Sequence, residues 1–265
     1  MNPGLNLFSV PPTDVSLEKN KIYPIFPISN TNLRPVEFSI EGRDNYVDLS
    51  QSYFEIKGKL TLAAGGEILQ DTKLVPVTNL GHSMIKQIKL LLNGNLVTDA
   101  SDDYAYKAYI ETLLNFHKEA QDSYLKLCGW YHHGGFVEAM TNNQMDDTTP
   151  HEDYTNLDRD VQATLKEARE AREIFSDLNG DGVREFKMIV YPFLDAFQSG
   201  NLLLPKTKIE MAIDLNDVNF YFIGETARAK LDESAVRVTF HLKEVELDNH
   251  VAVKDRKSTR LNSSH

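Results

Sequence analysis

The chain has 265 residues, 41% hydrophobic and 25% charged, with a formal net charge of −11. That is enough apolar material for one large β domain or two small ones with a real core, and the acidic balance argues against a chain that wraps nucleic acid with basic patches. No apolar run approaches the roughly 18 residues a membrane helix needs, the lone Cys128 rules out an internal disulfide, and no secretory signal opens the chain, so a cytosolic or nuclear origin is expected.

Residues Leu5 to Asn30, in the expected arm 1–30, carry Pro11, Pro12, Pro24 and Pro27, a density that blocks a helix and limits ladder bonding. An extended N-terminal arm is expected there, laid over a neighbouring surface. Alternation then begins. Val36, Phe38 and Ile40 share one side of a short strand, and Phe54, Ile56, Leu60 and Leu62 share one side of a longer one. Gly58 interrupts that apolar side, marking a bulge or a close approach. Ile88, Leu90 and Leu92 run into Asn93-Gly94, a hairpin signal because both central residues of a type I′ turn need positive φ.

The period then changes. Ala105, Tyr109, Leu113 and Phe116 recur at helical spacing, with Asp102 or Asp103 as cap and a second short helix over Glu119 to Leu127. Residues from His133 to Tyr154 read as loop, and a helix is expected at about 157–176, with Val161, Leu165, Ala168 and Phe175 inward. Strands resume with Phe186, Met188 and Val190, then Ile209, Met211, Ile213 and Leu215, then a short aromatic stretch from Asn219 to Ile223. Val236, Val238, Phe240 and Leu242 follow, and the apolar side switches to Val245 and Leu247, as a β-bulge near Lys243-Glu244 would produce.

These elements predict a mainly β protein: an antiparallel eight-stranded jelly roll of two packed sheets, over residues 31–254, with helical insertions at about 103–127 and 157–176. A parallel α/β fold would alternate strands and helices throughout, and this chain does not. The last stretch, 255–265, has no periodicity and looks like the in-frame translation of a sequencing adapter, so the native frame is expected to be cut near Lys254.

No phosphate loop, dinucleotide fingerprint, nucleophile elbow or H-E-x-x-H occurs, and no residue is named as catalytic. Cys128 reads as a small buried apolar side chain rather than a nucleophile. Asp177, Asn179 and Asp181 match the first half of a calcium loop, but its closing position falls on Met188, with Glu185 a poor substitute; a polar helix-to-strand turn is the simpler reading. His132 and His133 are adjacent and point to opposite faces of a strand, and the His-x-His of metal-binding cupins is missing. Tyr53, Tyr104, Tyr106, Tyr109 and Trp130 could stack on sugars as in jelly-roll lectins, although core packing is the commoner use. No cofactor is expected.

Specific strings narrow the reading. Leu7-Phe8-Ser9-Val10-Pro11-Pro12-Thr13, Tyr46-Val47-Asp48-Leu49, Leu92-Asn93-Gly94-Asn95-Leu96-Val97 and, above all, the run from Tyr104 to Asn115 resemble the major capsid proteins of Maverick/Polinton elements and adintoviruses. The resemblance covers most of residues 7–253 and is weakest from His133 to Asp181. It implies a double jelly-roll subunit, here cut after the first jelly roll, that trimerises into pseudo-hexamers and tiles an icosahedral shell. It further implies neighbouring shell subunits and minor capsid proteins as partners, a virion location, and assembly in the host cytoplasm or nucleus. A single-jelly-roll minor capsid protein and a carbohydrate-binding module are the alternatives.

Overall fold

Period-two alternation along the chain builds two main antiparallel sheets whose apolar sides face each other. The structure is a computed structural model and describes residues 17–28, 35–62, 74–98, 101–130, 184–224, 229–232 and 236–247. Its strands are β1 (Leu17–Ile25), β2 (Val36–Ile40), β3 (Tyr46–Leu62), β4 (Leu74–Pro76), β5 (Ile85–Leu92), β6 (Asn95–Leu96), β7 (Arg184–Val190), β8 (Leu202–Leu203), β9 (Ile209–Leu215), β10 (Phe222–Gly224), β11 (Ala229–Leu231) and β12 (Arg237–Leu247). Its helices are α1 (Leu80–Ser83), α2 (Tyr104–Asn115), α3 (Lys118–Gln121), α4 (Asp195–Gln198) and α5 (Val218–Tyr221), with a 3₁₀ turn at Tyr124–Cys128.

One sheet has the order β1-β12-β3, with β7 and β8 on the far edge of β3 and β11 extending the β12 row. The other main sheet has the order β2-β9-β5-β6, and β10 and β4 pair as a separate two-stranded sheet. Counting only the eight main strands in chain order, the pairs are first with last (β1–β12), second with seventh (β2–β9), third with sixth (β3–β7) and fourth with fifth (β5–β6). These are the ladders of one long hairpin, and the further pairs β12–β3 and β9–β5 roll it into two sheets. That nesting is the jelly roll, but its eight strands are not the eight expected: β1 comes from the predicted arm, the expected strand at Asn219 to Ile223 is mostly helix α5, and β4, β8, β10 and β11 are short additions.

The core follows from the pattern. Phe38 of β2 meets Phe54 of β3 and Phe240 of β12 with ring centroids 6.0 and 6.3 Å away, and Phe54 lies 4.9 Å from Phe240. All three are fully buried. The Asn93-Gly94 turn has φ of 51° and 79° and joins β5 to β6 as the sequence predicts. Gly58 is a close approach and not a bulge: it pairs with Phe186, whose ring would lie 2.2 Å from a Cβ at that position.

Four expectations shift. Residues 17–25, inside the predicted arm, form the edge strand β1; Pro24 is tolerated because an edge strand is paired on one side only. The bulge sits chiefly on β3. Its ladder with β12 steps from His241↔Tyr53 to Lys243↔Asp48, so the four residues Leu49 to Ser52 stand against the single Leu242. They are held locally: Ser50 Oγ donates to Asp48 Oδ1 at 2.6 Å, Ser52 Oγ to the Asp48 carbonyl at 2.7 Å, and the Lys243 N–H to Ser52 Oγ at 3.0 Å. Third, α2 is turned relative to its predicted face. Tyr104, Ala105, Ala108 and Thr112 are buried while Leu113 faces outward, because Ala105 and Ala108 let the helix lie close to the sandwich and Thr112 satisfies its hydroxyl on the Ala108 carbonyl at 2.7 Å. Asp103 is the N-cap residue, but its side chain accepts from Ser101 and makes no cap hydrogen bond. The predicted second helix, Glu119 to Leu127, is split into α3 and the 3₁₀ turn. The helix expected at 157–176 lies outside the described residues.

Candidate functional site

The connection between β6 and β7 supplies a layer of helices along one edge of the sandwich, with α2 against β5 and the 3₁₀ turn against β7. Two features of this layer are candidates: a cleft and an outward helix face.

The cleft has a volume of about 850 Å³ and is lined by Ser50 and Ser52 of the β3 bulge, His82 of α1, Phe116, Tyr191 and Phe193, among others. His82 is buried and its Nδ1 lies 3.0 Å from the Tyr104 hydroxyl. The Phe193 N–H donates to the same hydroxyl oxygen at 3.3 Å. Burial pushes the His82 imidazole down to about 3, so it is neutral at pH 7, and the same burial pushes the Tyr104 phenol up. His82 therefore joins α1 to α2 and to the Phe193 ring 4.9 Å away. Its signal in the sequence was a lone His within the apolar window Leu80 to Ile85, which period counting passes over.

Cys128 is buried, with Sγ 3.0 Å from the Leu125 carbonyl and 3.3 Å from Asn79 Oδ1. Burial pushes its thiol up to about 12, far from a nucleophile. The aromatic residues considered for sugar stacking do not share a surface. Tyr104 is in the core, and Tyr109 and Trp130 pair at 5.6 Å around the cluster that holds Cys128. Tyr53 stacks on His241 at 4.6 Å on the outer face of the β12-β3 sheet, and Tyr106 points outward from α2.

That outer sheet face is charge-paired. Glu55 bonds to Lys57 and Lys187, each at 3.0 Å. Burial raises its carboxyl, and the two ammonium groups more than offset this, leaving it below the usual range. Glu244 of β12 is buried, with Arg43 at 2.6 Å and Asn45 at 3.3 Å. The Arg43 guanidinium lies 4.9 Å over the Tyr23 ring of β1, tying three segments together.

Asp177, Asn179 and Asp181 lie outside the described residues, as do His132 and His133. Met188, at the closing position of the calcium-like loop, is buried in the core and cannot close it, and Glu185 stands on β7 opposite Lys59. Among the described residues no group of three His, Cys, Asp or Glu side chains is placed to hold a metal ion.

No protein-family model matches the chain. An uncharacterized protein of Caenorhabditis elegans is 31% identical over 106 residues, 37% of this chain and 25% of that protein. Among solved structures, the cryo-EM structure of the Sputnik virophage is similar with a TM-score of 0.49 at 9% identity, over 94% of this chain and 52% of that one. The crystal structure of PBCV-1 VP54 fitted into a reconstruction of Sputnik gives 0.45 at 10% identity, over 93% and 46%. The quasi-atomic PBCV-1 capsid gives 0.39, also at 10%, over 93% and 46%. The chain thus spans about half the length of these structures and a quarter of the curated relative. The jelly-roll assignment itself rests on the ladder order of this chain.

Proposed function

We propose that this protein is a structural subunit of an icosahedral viral shell, of the double jelly-roll lineage found in Maverick/Polinton elements and adintoviruses, and not an enzyme. The observation that carries the reading is the full set of nested ladders, with three of the four resembling strings falling on its framework and the fourth, Leu7 to Thr13, outside the described residues. The string from Leu92 to Val97 spans the β5–β6 hairpin, that from Tyr104 to Asn115 is α2, and that from Tyr46 to Leu49 opens β3. The cleft supports the same reading: its histidine is neutral and already bonded, and its cysteine thiol is held protonated.

On this reading the subunit forms homotrimers of pseudo-hexagonal outline. These meet neighbouring trimers and minor capsid proteins in the virion, after synthesis in the host cytoplasm. The test is to read the genomic frame through and past codon 254, express its product, and examine it by native mass spectrometry and negative-stain electron microscopy. Trimers and hexagonally packed arrays are expected, from a frame that encodes a second set of alternating strands. A stop after this jelly roll, with a product that stays monomeric, would overturn the major-subunit reading in favour of a single-jelly-roll minor capsid protein or a sugar-binding module.

A further inference from the structure

The cleft beside the β3 bulge contains one buried polar atom with nothing to bond. His82 lines the cleft and is 2% exposed. Its Nδ1 is taken by the Tyr104 hydroxyl, while its Nε2 makes no hydrogen bond to any described residue. Nor is Nε2 among the fully enclosed unpartnered atoms, such as Asn79 Nδ2, so the space it meets is the cleft. A buried ring nitrogen left open costs stability unless something bonds to it. The deep polar groups around it are already engaged. Ser50 Oγ and Ser52 Oγ bond to Asp48, Cys128 Sγ lies on the Leu125 carbonyl, and Gln198 Nε2 donates to Glu111 at 3.0 Å. The wall facing His82 is apolar: Leu125, Phe193 and Phe197 are buried, and Ile189 is half-buried.

Charge and size select the occupant. Among the described residues no Lys, Arg, Asp or Glu lines the cleft, although 25% of the chain is charged. The burial that keeps the His82 imidazole neutral equally penalises an ionised group placed against it. At about 850 Å³ the cleft falls in the range of roughly 300–1,000 Å³ that holds a drug-sized molecule. A hydroxyl suits the open position whichever ring nitrogen of His82 carries the proton, because it both donates and accepts.

We propose that this cleft binds an uncharged, mostly hydrocarbon alcohol, with its chain against Leu125, Ile189, Phe193 and Phe197 and its hydroxyl on His82 Nε2. The inference goes beyond the shell-subunit reading and stands whether or not the chain trimerises. Isothermal titration calorimetry of the full chain at neutral pH tests it, with 1-decanol and decanoate as probes that differ in the charge of the head. Decanol should saturate the cleft, and decanoate should bind at least about tenfold more weakly. His82→Leu removes the open nitrogen; it should weaken decanol by roughly tenfold, the worth of one hydrogen bond. Leu127→Glu puts a carboxylate on the exposed part of the lining, away from the packed core. It should weaken decanol with an unchanged thermal midpoint, and it keeps the test decisive if His82→Leu does not fold. Three results would overturn the inference. Decanol may be given no saturable site up to its solubility limit, which means the chain fills the cleft itself. Decanoate binding as tightly as decanol means that burial of hydrocarbon alone is measured. Folded variants that bind decanol as wild type does place the ligand elsewhere.

Discussion

The space between the two sheets and the outer face of α2 are both built from large apolar side chains, and the two regions use them in opposite ways. Between the sheets, Phe38, Phe54 and Phe240 come from three strands and lock face against face with no water contact. On α2, Tyr106, Ile110, Leu113 and Leu114 come from one helix and meet solvent, while the helix docks through two alanines, a threonine and the buried ring of Tyr104. Apolar content alone therefore does not say what holds the fold. The interior set fixes which strands pair; the exterior set is spare surface.

Breaking the interior should cost most. Phe240→Ala removes a ring shared by Phe38, Phe54 and Phe197 and should lose about 4 kcal/mol in a urea unfolding curve; a loss under 1 kcal/mol would mean the sheets do not depend on that cluster. Next comes acid. Unfolded, the His82 imidazole takes a proton near pH 6.5, whereas folded it does so only near 3. Between those values the unfolded chain binds more protons, so stability falls as pH drops through that window and is fully present above it. From pH 7 to pH 4 the share lost to His82 should be roughly 3 kcal/mol, and His82→Gln should flatten that limb of the stability–pH curve. Gly58→Ala should cost about 1–3 kcal/mol by pushing the Phe186 ring off β3, and the double variant with Phe186→Leu should recover part of it. Smallest is Ile110→Glu, within about 0.5 kcal/mol of wild type. A large loss there would erase the contrast, because that face would then belong to the fold.

Much of the sandwich was legible in the sequence because period two is a local signal. The alternation at 36–40, 184–190 and 209–215, and the turn at Asn93-Gly94, need only their own residues to be read. What stayed hidden depended on a partner. β1 is a strand because β12 offers it an edge, and Pro24 together with the prolines on either side of it hides that. The switch of side near Glu244 is visible on β12, but the residues causing it are on β3, nearly 200 positions earlier. The face of α2 is not legible locally because large apolar residues ordinarily point inward, and close docking through Ala105 and Ala108 reverses that rule here. The role of His82 required knowing that Tyr104 and Phe193 arrive beside it, from sequence positions 22 and 111 residues away.

The nested ladders also set a schedule for synthesis. Leu17 of β1 pairs with Leu247 of β12, 230 residues later. At ordinary translation rates, that interval lasts roughly 10 to 45 seconds. During it, β1 and the long strand β3 wait with bare hydrogen-bonding edges for a strand the ribosome has not yet made. A β12 released by a neighbouring ribosome on the same message fits those edges as well as the chain's own. Nascent copies can therefore complete one another's sheets, so a chaperone that isolates each chain until β12 emerges should decide the yield of correctly closed subunits.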